Sequence, residues 1–176
     1  MRETKQRLLC AMCAFCASVP MGVARGDVRS PFDNPAFIVG TSPTTPSIAD
    51  LNGDGLWDIV TANASDGSVT ALLGDGTGMF LTRVDSPIGA LPRALAAADL
   101  NGDDIIDVAM AMQAGHEVRV MLGVGDGSFG ASQAFAANNT PYDIVIGDFN
   151  EDGDAYLAVP NRSAISNSVS VLFGAG

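Results

Sequence analysis

Short apolar stretches alternate with segments rich in Gly, Asn, Asp and Ser along the chain from about residue 40 onwards. Apolar stretches of this length, bounded by turn-forming residues, are typical of β-strands. No long stretch with the apolar period of a helix follows the first 25 residues. The pattern therefore predicts an all-β chain.

The pattern of apolar and polar positions repeats every 49 residues. The acidic segment that begins at Asp50 returns at Asp99 and again at Asp148, with the same spacing both times. Each unit holds signals for about four short strands, which is the make-up of a propeller blade. We therefore predict a partial β-propeller of about three four-stranded blades. Three prolines keep the same register, each seven residues before the first aspartate of its unit: Pro43, Pro92 and Pro141.

The repeat also sets the expected blade boundaries. Blade 1 spans 43–91, blade 2 spans 92–140 and blade 3 spans 141–176. Blade 3 is incomplete, because it lacks the glycine-rich turn and fourth strand of the other two, and its third strand is displaced by one inserted residue. Residues 25–42 are predicted to hold a lead-in strand, at 37–39. Because a propeller ring needs about four to eight blades, we expect self-association or further blades to cover the two open faces.

The first 24 residues have the pattern of a secretory signal peptide. Arg2, Lys5 and Arg7 give it a positive start. Residues 8–19 form an apolar region of 12 residues, and small residues precede a predicted cleavage after Ala24. An apolar region this short disfavours the alternative of an uncleaved membrane anchor. We expect the protein to be secreted, and to be extracellular, periplasmic or displayed at the cell surface.

The chain is acidic and its mature form has no cysteine. It carries nine Lys and Arg against 20 Asp and Glu, a net charge of −11. All three cysteines lie in the predicted signal peptide, so no disulfide or thiolate metal site is expected. A chain of this charge repels phosphate backbones and anionic membranes and attracts cations. We therefore expect no nucleic-acid partner and no membrane span after cleavage.

The acidic segments have the oxygen-donor spacing of a calcium loop. Carboxylates or amides recur at positions 1, 3, 5 and 9, and a backbone carbonyl is available at position 7. A donor set made only of oxygens, rich in carboxylates and carried on a flexible loop, favours Ca²⁺ over Mg²⁺. The first loop offers Asp50, Asn52, Asp54, Leu56 and Asp58, and the second offers Asp99, Asn101, Asp103, Ile105 and Asp107. The third offers Asp148, Asn150, Asp152 and Asp154.

The loops differ from one another at two positions. Asp104 stands where the first loop has Gly55, so a left-handed backbone is expected there, which an aspartate tolerates. Tyr156 stands at position 9 of the third loop, where the other two loops have an aspartate. The third loop therefore lacks one side-chain ligand, for which the carboxylate of Asp154 is a candidate replacement.

The acidic segments are open to two interpretations other than calcium loops of this kind. An EF-hand or a dockerin needs an acidic residue at position 12 and flanking helices. Position 12 is instead apolar or hydroxylic and lies in a β-rich stretch, which excludes the helical sites. Solvated acidic turns without a metal are the second alternative, and this alternative is stronger for the third loop than for the first two. The position-12 residues are Thr61, Met110 and Val159.

Three segments of the first unit, 50–58, 59–63 and 72–80, resemble the FG-GAP/VCBS repeat family, whose repeats are similar to blades of the integrin α-subunit head. The resemblance covers most of residues 40–176. It implies a β-propeller, usually of about seven blades, with calcium on loops that close at position 9. It also implies a role in adhesion or surface recognition.

Few side chains suit catalysis. After residue 24 the chain has no Lys and no Cys, and its one histidine, His116, falls in a predicted hairpin turn. Trp57 is expected to pack in the core rather than to stack on a sugar. We therefore expect a non-catalytic module that binds an extracellular protein or glycan. The alternative is an accessory propeller of a secreted polysaccharide- or lipid-acting enzyme whose catalytic domain lies outside this chain.

Overall fold

The computed structural model describes residues 35–164 and 167–174. The predicted signal peptide, residues 1–24, lies outside these ranges. Within them the chain contains no helix, and so no helix long and apolar enough to cross a membrane. The strands of the described residues are β1 Ser47–Ala49, β2 Asp58–Asn63, β3 Ser68–Leu73, β4 Thr82–Pro87, β5 Ala94–Ala98, β6 Asp107–Met112, β7 Glu117–Met121, β8 Gln133–Ala136, β9 Val145–Gly147, β10 Tyr156–Arg162 and β11 Asn167–Leu172.

In the part of the chain described, these strands form three antiparallel sheets in which each strand pairs with its neighbour in sequence. Sheet 1 has the order β1-β2-β3-β4, sheet 2 has β5-β6-β7-β8, and sheet 3 has β9-β10-β11. This up-and-down order follows from the short turns, which permit pairing only between consecutive antiparallel strands. The prediction of an all-β chain with a partial β-propeller is confirmed.

The hairpin between β10 and β11 carries two inserted residues, so the expected single insertion is wrong. Ala158 pairs with Val171 in the position where sheet 1 pairs Val60 with Ala71. Ala158 lies 98 residues after Val60, whereas Val171 lies 100 residues after Ala71. Two residues are therefore inserted between β10 and β11. Because Ser and Val alternate along β11, the sequence of this strand did not show which of its residues correspond to those of β3.

Residues 37–39 do not form the expected strand. The Phe37 ring packs edge-on against Phe80, with 5.2 Å between ring centroids. The Arg83 guanidinium donates hydrogen bonds to the carbonyl oxygens of Ile38 and Val39. Side-chain contacts thus hold this segment in place, instead of the backbone hydrogen bonds that the predicted strand would have formed.

The fourth strand of sheet 1 begins at Thr82. Asp75 organises the turn that precedes it. Its carboxylate accepts hydrogen bonds from the N–H and hydroxyl of Thr77, and its own N–H donates to the Met79 carbonyl.

The middle strand β6 is buried on both sides. Val108, Met110 and Met112 face sheet 1 and join its apolar cluster. Ala109 and Ala111 face the opposite way and pack with residues of sheet 3. Each fully buried Val or Met side chain contributes about 1.5–3 kcal/mol. Two apolar interfaces, one on each face of sheet 2, therefore hold the three sheets together.

Trp57 is 72% exposed, which overturns the expectation that it packs in the core. It follows the first acidic loop, just before β2. Ile106 occupies the same place in the second unit and packs against the cluster shared by sheets 1 and 2. Trp57 lacks that cover because sheet 1 is the first of the described sheets.

Candidate metal centre

An acidic loop joins the first two strands of each sheet, and its first aspartate organises the backbone. In the first loop, Oδ1 and Oδ2 of Asp50 accept hydrogen bonds from the N–H groups of Gly53 and Gly55, both at 2.8 Å. These bonds wrap the chain around a single carboxylate. The other loops repeat them, from Gly102 and Asp104 to Asp99 and from Glu151 and Gly153 to Asp148.

The tight wrapping requires left-handed backbone at two places in each loop. Gly55 has φ of 81° and the equivalent Asp104 has φ of 65°, as the sequence predicted. Glu151 has φ of 62° where the first loop has Gly53. Non-glycine residues are uncommon in this region, although aspartate is enriched there. The hydrogen bonds to the first aspartate therefore hold a strained backbone in the second and third loops.

The asparagine and the second aspartate of each loop bind each other. Asn52 Nδ2 donates to Asp54 Oδ2 at 2.9 Å, and Asp54 Oδ1 accepts from the N–H of Leu56 at 2.8 Å. The same two bonds link Asn101, Asp103 and Ile105 in the second loop and Asn150, Asp152 and Asp154 in the third. Leu56, Ile105 and Asp154 thus contribute their N–H groups to the loop.

The aspartate at position 9 is fully buried in the first two units. Asp58 accepts hydrogen bonds from Leu51 N–H and from Gly74 N–H, both at 2.8 Å. Asp107 makes the equivalent bonds to Leu100 and Gly123 at 3.0 and 2.8 Å. Each carboxylate therefore ties the start of its loop to the end of the third strand, a structural role that the spacing did not reveal.

The carboxylates of the second loop influence one another. Burial raises the pKa of Asp107 above its usual value, and the nearby charges of Asp103 and Asp99 raise it further, against the two amide hydrogen bonds that lower it. Burial also raises the pKa of Asp99, but its backbone hydrogen bonds outweigh that effect and hold the pKa below the usual value. The loop thus concentrates negative charge beside a buried carboxylate.

The family model described as FG-GAP-like repeat matches this sequence twice, at residues 50–110 and 99–159. The two matches together cover more than half of the chain. The chain belongs to the FG-GAP repeat family. None of the curated proteins matches it. Each match begins at the first aspartate of an acidic loop and runs into the second strand of the following unit.

The third FG-GAP unit closes its loop with Tyr156 where the others have a buried aspartate. The Tyr156 hydroxyl donates to Asp152 Oδ2 at 2.6 Å and accepts from Asn150 Nδ2 at 2.9 Å. The bond to Asp152 raises the pKa of Tyr156 and helps to hold that of Asp152 below its usual value. Asp154, the candidate replacement ligand, donates its N–H to Asp152 Oδ1, and its carboxylate accepts no hydrogen bond in this loop among the described residues.

The donor chemistry of the first two FG-GAP loops fits a hard divalent cation. At positions 1, 3, 5 and 9, each loop offers three carboxylates and one amide oxygen. One of these carboxylates is buried and has no ion-pair partner among the described residues. Among the described residues, no group of three or more Asp, Glu, His or Cys side chains is arranged to hold a metal. In both loops the asparagine Nδ2 donates to Oδ2 of the second aspartate, so a cation bound at that oxygen would have to displace this hydrogen bond. The third loop fits less well, since a tyrosine hydroxyl already serves its second aspartate.

Proposed function

We propose that this chain is a secreted, non-catalytic FG-GAP module that binds Ca²⁺ at its first two acidic loops and recognises an extracellular protein or glycan. The observation that carries the calcium proposal is the fully buried aspartate at position 9, found twice beside two further carboxylates. Like charges held this close repel in the folded chain, and a bound cation removes that repulsion.

The residues that would hold the ion are the side chains at positions 1, 3, 5 and 9. Bound Ca²⁺ would supply positive charge and pin the loop to the two strands that it joins. The buried Asp58 and Asp107 would each anchor their loop through the amide hydrogen bonds that they already accept. The candidate ligands are Asp50, Asn52, Asp54 and Asp58, and Asp99, Asn101, Asp103 and Asp107.

Secretion and lack of catalysis are supported by the sequence. The signal pattern of residues 1–24 directs export, and residues 25–176 contain no Lys and no Cys. His116 lies exposed at a hairpin tip, where its Nδ1 accepts a hydrogen bond from Thr140 N–H. Acidic loops that are repeated in successive units indicate a structural role rather than one active site.

Extracellular calcium modules commonly bind with dissociation constants of about 10⁻⁴–10⁻³ M, and we expect that range here.

Thermal unfolding in EDTA and in millimolar Ca²⁺ tests the calcium proposal. A tenfold excess over the dissociation constant at two sites stabilises the fold by about 3 kcal/mol, which raises the midpoint by roughly 6–12 °C. The same concentration of Mg²⁺ is the matched control and is expected to give a much smaller rise. The double variant Asp50→Ala/Asp99→Ala is expected to lose the calcium-dependent rise. Equal midpoints of the unaltered chain in EDTA and in Ca²⁺ would refute the proposal.

The recognition partner is tested separately. The purified chain, loaded with Ca²⁺, is applied to a glycan array and to immobilised extracellular proteins. Binding that is lost in EDTA supports a recognition module whose loops are set by calcium. Turnover of a polysaccharide or lipid substrate by the chain, abolished by a point substitution, would contradict the non-catalytic proposal.

A further inference from the structure

The outward face of sheet 3 carries exposed apolar side chains. Val169 is 62% exposed, Phe173 is 77% exposed, and Val171 between them is exposed as well. Their equivalents in the first unit, aligned through the strand register, are Val69, Ala71 and Leu73. Val69 and Ala71 are fully buried and Leu73 packs beside them, because sheet 2 covers this face of sheet 1. In sheet 3 the same positions lack a following sheet among the described residues.

The outward face of sheet 1 shows the opposite half of such an interface. Ile48 is 67% exposed, and Trp57 is exposed beside it on the same unit. Their equivalents in the second unit, 49 residues on, are Ala97 and Ile106. Both of these pack into the cluster between sheets 1 and 2. Ile48 and Trp57 therefore occupy positions that, one unit later, contact the preceding sheet.

We propose that the outward face of sheet 3 in one copy of the chain packs against the outward face of sheet 1 in a second copy, and that two copies close head to tail into a ring of six sheets. The two faces are the halves of an interface that the chain already forms twice internally. Six sheets fall within the range of about four to eight that propellers use. Strand β11 carries no charged residue. On the outward face of sheet 1, the two charged side chains of β4, Arg83 and Asp85, form an ion pair with each other. The contact does not depend on the proposed calcium binding, although bound Ca²⁺ would reduce repulsion between copies.

Sedimentation velocity of the purified full chain, from roughly 1 to 100 μM in Ca²⁺, tests the proposal. The expected result is a concentration-dependent species of twice the chain mass. Val171→Asp on sheet 3 and Trp57→Asp on sheet 1 are each expected to weaken this association at least about 100-fold, because each places a charge in both contacts of the ring. Val124→Asp is the matched control, since Val124 is exposed in a turn of the middle unit and lies on neither outward face.

Mixing the two variants identifies which faces meet. Val171→Asp keeps an intact sheet 1 face and Trp57→Asp keeps an intact sheet 3 face, so an equimolar mixture is expected to form a heterodimer through one intact contact. Circular dichroism and thermal midpoints close to those of Val124→Asp establish that both variants fold. The proposal is overturned if the unaltered chain stays monomeric throughout, if only one of the two variants loses the dimer, or if the mixture forms no heterodimer. Loss in only one variant would indicate that like faces pair.

Discussion

The hydroxyl of Tyr156 and the carboxylate of Asp152 form a 2.6 Å hydrogen bond in the third loop. Asn150 Nδ2 donates to the same carboxylate oxygen and also to the tyrosine oxygen. The first two loops place Asp58 and Asp107 at the tyrosine's position. A neutral hydroxyl donor thus serves the second aspartate in the third unit, which has no carboxylate at position 9.

Replacement of Tyr156 by Phe tests the contribution of that hydroxyl. The ring contacts with Phe149 and Phe173 stay, and only the hydrogen bonds to Asp152 and Asn150 are lost. We expect the thermal midpoint to fall by a few degrees, by the same amount in EDTA and in Ca²⁺, because no ion is expected at this loop. Tyr142→Phe is the control, since the Tyr142 hydroxyl takes part in no hydrogen bond found in the described residues. A loss confined to Ca²⁺ would indicate instead that Tyr156 supports an ion.

Replacement of Asp107 by Asn separates the structural role of the buried carboxylate from metal binding. Both Asp107 oxygens accept amide hydrogen bonds, so the asparagine NH₂ must face an N–H donor from Leu100 or Gly123. We expect a loss of about 1–3 kcal/mol in denaturant unfolding even in EDTA. Asp103→Asn, at an exposed position of the same loop, is expected to cost less in EDTA. No loss for Asp107→Asn in EDTA would contradict the anchoring role.

Substitution of Gly123 by Ala tests the close approach of two backbone segments. A Cβ at Gly123 would overlap the carbonyl oxygen of Ile106, and the same overlap with the residue before the second strand occurs at Gly74 and Gly174. We expect Gly123→Ala to destabilise the fold by about 2 kcal/mol or more in denaturant unfolding. Gly130→Ala in the same turn is the matched control, because the nearest atom to its Cβ would lie 3.6 Å away. Equal losses would show that backbone entropy, and not the overlap, requires glycine.

The repeat made the all-β fold and the acidic loops predictable from sequence. The 49-residue spacing from Asp50 to Asp99 fixes equivalent positions, and the apolar run of β6 is expected of a strand buried on both faces. The left-handed backbone at Asp104 followed from its alignment with Gly55. Properties that depend on position within a repeated unit are therefore readable from the sequence.

Properties that depend on neighbouring units were not readable in the same way. In the second unit, the residue equivalent to Trp57 packs against the preceding sheet. Trp57 is exposed, because no described sheet precedes sheet 1 to cover it. The bond from Tyr156 to Asp152 joins side chains four residues apart, but a tyrosine at a ligand position signals only that a ligand is absent. The anchoring bonds of Asp58 reach Gly74 across a hairpin, which spacing within the loop does not show.

The pH dependence of Asp85 provides a test outside the loops. Burial raises the pKa of Asp85, but hydrogen bonds from Arg83 and Thr70 and the charge of Arg83 outweigh it, so the pKa lies below its usual value. A lowered folded-state pKa stabilises the fold above about pH 4, and this contribution is lost as the pH falls through the folded-state value. We expect Asp85→Asn to cost at most about 1 kcal/mol at pH 7, because the pair is largely exposed. In acid unfolding, the difference from the unaltered chain should shrink as the pH falls below about 4. A difference that grows in acid would contradict this assignment.

Calorimetric titration with Ca²⁺ tests the difference between the three loops. We expect two equivalents for the unaltered chain, and the loss of one equivalent in each of Asp50→Ala and Asp99→Ala, because the first aspartate is a proposed ligand and also shapes its loop. Tyr156→Asp is expected to add a third equivalent, since it restores the position-9 carboxylate and removes the hydroxyl that occupies Asp152.

Tyr156→Phe is the matched control for that gain. It removes the same hydroxyl without supplying a carboxylate, so we expect it to keep two equivalents. A third equivalent in Tyr156→Phe would mean that the hydroxyl blocks a loop whose remaining oxygens suffice for the ion. Three equal sites in the unaltered chain would mean that Asp154 or a water molecule replaces the missing carboxylate, and the hydrogen bond from Tyr156 to Asp152 would then have to break when the ion binds.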